Sequence, residues 1–105
     1  MSDADRGAIR MVLGVAWYRE EQWQRLREIS ADVTELEETY GAWLLIAMRK
    51  SNEMTREGIA FERVEVDVED LVVWCLAEKR PVNSASRAAY VAEWLRKRTV
   101  ERRGG

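Results

Sequence analysis

From Ile9 to Tyr18 (IRMVLGVAWY) apolar residues occupy both parities of an extended chain. Met11, Leu13, Val15 and Trp17 fall on one side; Val12, Gly14, Ala16 and Tyr18 fall on the other. A strand apolar on both faces predicts cover on both and an inner position, and the small Gly14 and Ala16 predict a helix packed close against one face. Arg19 to Ser30 changes to a helical period, with Trp23, Leu26 and Ile29 on one side and Glu20 and Glu21 at the end that favours acids. A second, longer helix is expected from Asp32, its N-cap, with Glu35 completing a capping box. Leu36, Tyr40, Trp43, Ala47 and Met54 form its stripe, widened by Leu44 and Met48, and Gly58 ends it in a left-handed conformation.

Glu62 to Val68 then alternates, Val64, Val66 and Val68 against Arg63, Glu65 and Asp67, which predicts a strand with one wet face. Ile59 and Phe61 are out of phase with it, so a bulge or loop is expected before it. Asp67 is placed to cap a third helix that turns Leu71, Trp74 and Cys75 inward and ends at Pro81. A fourth begins at Asn83 or Ser84 and runs to about Arg98 with Ala88, Val91, Ala92 and Leu95 inward. Residues 1–8 are expected to be loose and the basic tail 99–105 to fray.

The order β-α-α-β-α-α predicts one small α/β (α+β) domain over residues 1–105, with two strands and four helices. A crossover through two helices leaves parallel and antiparallel pairing both open. Two strands make a poor sheet without support. A homodimer is therefore expected, joined through the strand Met11–Trp17 in the order 2-1-1′-2′.

Composition sharpens this in few places. A chain of 105 residues, 47% hydrophobic and 34% charged, fits a globular protein with one core. No apolar run reaches the ~20 residues that span a bilayer. Asp3 and Asp5 stand where a signal peptide would be basic. With a single cysteine, Cys75, these features predict a cytoplasmic protein with no membrane partner. Charge is uneven: residues 87–105 hold six basic and two acidic side chains, against 11 and 17 before them.

The stretches VLGVAWYREEQWQRLREI, LEETYGAWL, VEVDVEDLVVWC and SRAAYVAE together resemble a group of small uncharacterised bacterial proteins. That group pairs a V-x-W-Y strand with a T-Y-x-x-W segment, a V-x-V/I-D strand and a W-C helix. The resemblance covers most of residues 12–93. It implies no activity, cofactor or site residue.

Chemistry is legible mainly by exclusion. Without histidine there is no imidazole catalysis or ligation, and one cysteine builds neither a thiolate zinc site nor a C-x-x-C pair. No phosphate-binding glycine loop occurs, and no cofactor is expected. Parallel strands would bring Trp17, Tyr18, Arg19 and Asp67 together at the strand ends, where α/β folds bind ligands, whereas antiparallel strands would separate them. Asp67, Glu69 and Asp70 could help hold magnesium, but acids in a first turn more often answer the helix dipole. Cys75, beside Trp74, reads as inert packing. Arg96, Lys97, Arg98, Arg102 and Arg103 could track phosphates, although the blander reading is a solvated helix end.

These features favour a non-catalytic cytoplasmic module that binds a protein partner. The alternatives are a nucleic-acid-associated protein using the basic tail, and a ligand-binding protein or enzyme with a site at the strand ends.

Overall fold

The structure, a computed structural model, describes the backbone of residues 12–104 and the side chains of 12–98. The expected element order is observed. β1 (Leu13–Trp17) is followed by α1 (Glu20–Ile29), a single 3-10 turn (Val33–Glu35) and α2 (Tyr40–Arg56). Then come β2 (Phe61–Glu65), α3 (Val68–Ala77) and α4 (Ser84–Gly104). The expected loose segment 1–8, like Ile9–Met11, lies outside the described residues.

The two strands are parallel, in a register from Leu13 opposite Phe61 to Trp17 opposite Glu65. The Leu13 amide donates to the Ala60 carbonyl (3.1 Å) and the Val66 amide to the Trp17 carbonyl (3.0 Å). Leu13, Val15 and Trp17 therefore turn their backbone groups toward β2, and Gly14 and Ala16 turn theirs the other way. No strand lies on that side among the described residues. The inner position expected for β1 is not met among the described residues, since both strands of a pair are edges.

The long second helix expected from Asp32 is also not formed. The chain makes one 3-10 turn, breaks, and starts α2 at Tyr40, where the Thr39 hydroxyl accepts the Ala42 amide at 3.1 Å. Asp32 caps nothing locally because its carboxylate is taken by Arg87 and the Ser84 amide. Other local signals hold. Gly58 has φ 75°, and the Ile59 amide closes on the Met54 carbonyl (2.9 Å), the hydrogen bond of a glycine-terminated helix. Asp67 caps α3, accepting the Asp70 amide at 3.1 Å, and Asn83 caps α4, accepting the Ser86 amide at 3.0 Å. α4 continues to Gly104, beyond the boundary expected near Arg98.

The core lies on the Gly14–Ala16 side of the sheet, where Leu26, Val64, Leu71 and Val91 are almost fully buried. α4 packs on β1 there, though its expected inward residues Ala88 and Ala92 are exposed and Tyr90 is buried instead. On the other face Trp43 meets Trp17 edge-on at 5.2 Å and the Arg63 guanidinium sits 3.9 Å from the Trp17 ring. Cover has faded by Leu13, which is 46% exposed.

The approach of α4 requires a glycine at position 14, because a Cβ there would lie 2.7 Å from Val91 Cγ1. Val91 is β-branched and has one strongly preferred rotamer in a helix, so it cannot swing aside. Gly14→Ala is expected to cost about 1–3 kcal/mol in urea denaturation. In a Val91→Ala background the same change should cost clearly less. Additive costs would show that the contact does not limit packing.

Candidate functional site

Parallel pairing brings the ends of both strands together, as a strand-end site needs, but neighbours on several elements already engage the side chains there. Trp17 is half-buried between Trp43 and Arg63. Tyr18 is buried, with its ring against Trp23 (5.9 Å) and Trp43 (5.3 Å). Arg19 is exposed and pairs with Glu21 at 3.3 Å. Oriented to satisfy both its ends, the Gln22 amide also accepts from Arg19 Nη2 (2.9 Å) and donates to the Val66 carbonyl (2.8 Å). Asp67 serves α3 as its cap. The neighbouring acids are engaged too, Glu69 by Arg25 (2.7 Å) and Asp70 by the Tyr90 hydroxyl (2.6 Å). Among the described residues no group of acids and cysteine is arranged to hold a metal ion.

Only Tyr18 of these four lines the main concavity, a cleft of about 510 Å³ on the side of β1 away from β2. Its floor is Gly14, Val15 and Ala16. One wall is α2, through Trp43, Ile46, Ala47 and Met54 with Lys50 and Ser51, and the other is α4, through Ala88 and Val91 with Ser84 and Arg87. The end of the 3-10 turn and the segment after it close one end with Glu35, Leu36 and Glu37. The helical periodicity puts Trp43, Ala47, Met54, Ala88 and Val91 in inward stripes but leaves out Ile46, and that they face one another depends on the tertiary fold. Ser51, nearly buried in the α2 wall, satisfies its hydroxyl on the Ala47 carbonyl at 2.9 Å.

Beside the Tyr18 end, Arg87 grips Asp32 through two hydrogen bonds (3.0 and 2.8 Å) and reaches the Ser30 hydroxyl (3.3 Å). Both side chains of the pair are only 11% exposed. The Arg87 guanidinium holds the Asp32 carboxyl below its ordinary value. Burial pushes the Tyr18 hydroxyl up to about 12, a shift the nearby Arg87 opposes and Asp32 reinforces. Both groups move away from neutral pH, the reverse of what general acid–base work at pH 7 requires. Burial likewise raises the Cys75 thiol, opposite to an activated nucleophile.

The basic tail is engaged as far as its side chains are described. Arg96 and Lys97 approach Glu93 (3.9 and 3.3 Å), and Arg98 pairs with Glu62 of β2 and lies over the Trp94 ring. The side chains of Arg102 and Arg103 lie outside the described residues. On one continuous helix, Arg98 and Arg102 share a face, Arg96 and Arg103 share another, and Lys97 falls on neither. The five positions thus surround the helix and form no stripe. Comparison of the chain with protein-family models, curated proteins and solved structures finds no match.

Proposed function

We propose that this chain is a non-catalytic cytoplasmic module that binds another protein in the cleft beside β1. The observation that carries this reading is the cleft itself, a concavity with a mainly apolar α2 wall, a mixed α4 wall, and as its floor a strand edge that has no partner among the described residues. Its volume falls in the range of ligand sites, about 300–1,000 Å³. The Asp32 carboxyl, lowered by Arg87, and the Tyr18 hydroxyl, raised by burial, are poorly suited to proton transfer at neutral pH, which favours binding over chemistry. A single buried thiol suits a reducing compartment. No helix among the described residues is long and apolar enough to cross a membrane.

Ile46 offers a clean probe because it lines the cleft and is still 36% exposed, so Ile46→Glu should leave the fold intact. In capture experiments from the native host, the intact chain is expected to retain a protein that the Ile46→Glu variant loses, with unchanged circular dichroism. Identical retention by both would overturn the cleft reading. Binding to a generic duplex that falls steeply with salt, and is lost on deleting residues 96–103, would favour the nucleic-acid alternative.

A second reading is the homodimer through the strand Met11–Trp17, of which Met11 lies outside the described residues. The edge of β1, unpaired among the described residues, favours it. The flanking walls oppose it, because a second β1 arrives with its own α2 and α4 beside it.

A further inference from the structure

We infer that the ligand of this cleft is an extended polypeptide that adds to β1 as a third strand, antiparallel to it. This rests on the cleft as a protein-binding site and adds the form and direction of what enters it. The floor presents the amide and carbonyl of Gly14 and of Ala16, two donor–acceptor pairs spaced about 6.6–6.8 Å apart, as along any strand edge. Another strand answers that spacing with its own backbone. A helix cannot, since its amides and carbonyls are already paired internally. Side chains of an added strand would point alternately to the two sides, toward Ile46 and Ala47 of α2 and toward Ala88 and Val91 of α4, which are apolar on both.

Charge sets the direction. Glu35 and Glu37 stand at the Tyr18 end, where the Glu37 carbonyl receives the indole N–H of Trp23, itself packed on Tyr18. Lys50 stands toward the other end. α2 leaves Tyr18 at Trp43, and Lys50 lies about 10 Å further along the helix axis. Its final turn reaches the beginning of β2, where the Met54 carbonyl accepts the Ile59 amide. Glu35, Glu37 and Lys50 form no ion pair among the described residues; of the two cations at the acidic end, Arg87 is bridged by Asp32 with Glu35 in its field, and Arg27 spends its Nη1 on the Leu36 and Glu37 carbonyls. An antiparallel strand sets its N-terminal side, amine or basic residue, against the two glutamates and its carboxylate or acidic residue against Lys50. A parallel strand reverses both contacts.

The test is selection of a displayed library of random peptides against the intact chain. Enriched peptides should alternate apolar residues, with basic groups N-terminal and acidic groups C-terminal. Lys50→Glu should remove the preference for C-terminal acids. In a synthetic peptide of the enriched sequence, N-methylation at alternate residues should weaken binding about tenfold, while the intervening positions tolerate it. Peptides that lose binding to Ile46→Glu yet show no alternation on N-methylation would overturn the added strand and leave the cleft reading standing. So would an empty selection alongside an Ile46-dependent partner in capture. No Ile46-dependent ligand in either experiment removes both. A mass near twice 12.2 kDa at micromolar concentration would assign the edge to a second copy. Enrichment that appears only after deleting residues 2–11 would assign it to that segment, and either result overturns the inference.

Discussion

Asp32→Ala is expected to destabilise the protein by about 3–5 kcal/mol, the range found when one partner of a buried ion pair is removed. Arg87 would remain charged and almost wholly buried, and the Ser84 amide in the first turn of α4 would lose its acceptor. Asp32→Asn keeps an oxygen for that amide but not the charge, so its cost should be intermediate. Removing both charges should hurt less than removing one. Asp32→Leu combined with Arg87→Met is expected to be more stable than either single variant, since it leaves no buried charge. The pair also sets an acid limit. Because the folded state lowers the Asp32 value from 3.8, its contribution is present above that value and lost as pH falls through the folded one. Urea denaturation at neutral pH and at about pH 3 would show the gap between wild type and Asp32→Ala narrowing in acid. A single-variant cost under about 1 kcal/mol, or a double variant equal to the sum of the singles, would show that the pair is not coupled as a buried bridge.

That same pair shows why part of the fold was legible in the sequence and part was not. Gly58 and Asp67 act through hydrogen bonds within a few residues, so their types and spacing were enough to place a helix end and a helix start. Asp32 carried an equally good local signal, an acid with Glu35 three positions on, but its partner lies 55 residues away. The distant guanidinium replaced the capping box, and Thr39 took over the start of α2. Strand periodicity identified β1 and β2 without fixing their direction, which came only with the Val66–Trp17 hydrogen bond. The candidate site was divided in the same way. Parallel strands did bring Trp17 and Asp67 to one end, but Arg63, Trp43 and the α3 cap engaged their side chains. The cleft needed stripes on three elements to face one another and drew in Ile46 from outside the stripe on α2, which no one-dimensional pattern records.

Trp23→Ala is expected to cost about 3–5 kcal/mol, as large aromatic truncations in a core do, and to release α2 before the rest of the domain. Trp23 is 3% exposed and joins three parts of the chain. From α1 its ring packs on Trp43 at 5.4 Å and Tyr40 at 6.3 Å, both on α2, and on Tyr18 at 5.9 Å. Its N–H donates to the Glu37 carbonyl at 3.2 Å, on the segment between the 3-10 turn and α2. Beyond these rings α2 has little else to hold it, since Leu45 and Met48 are exposed at 62% and 48%. Trp23→Phe should be much milder. It keeps most of the ring contact, and the Glu37 carbonyl it deserts still accepts from Arg27 at 2.9 Å. Amide hydrogen exchange would separate a local effect from a global one. In Trp23→Ala, amides from Tyr40 to Arg56 should lose protection before those of α3 and α4, because α3 and α4 pack against each other without the tryptophan. Uniform loss over all helices would mean that α2 belongs to the same cooperative unit as the sheet. Ordered loss would mean that one wall of the cleft opens at low cost, as a groove admitting a third strand requires.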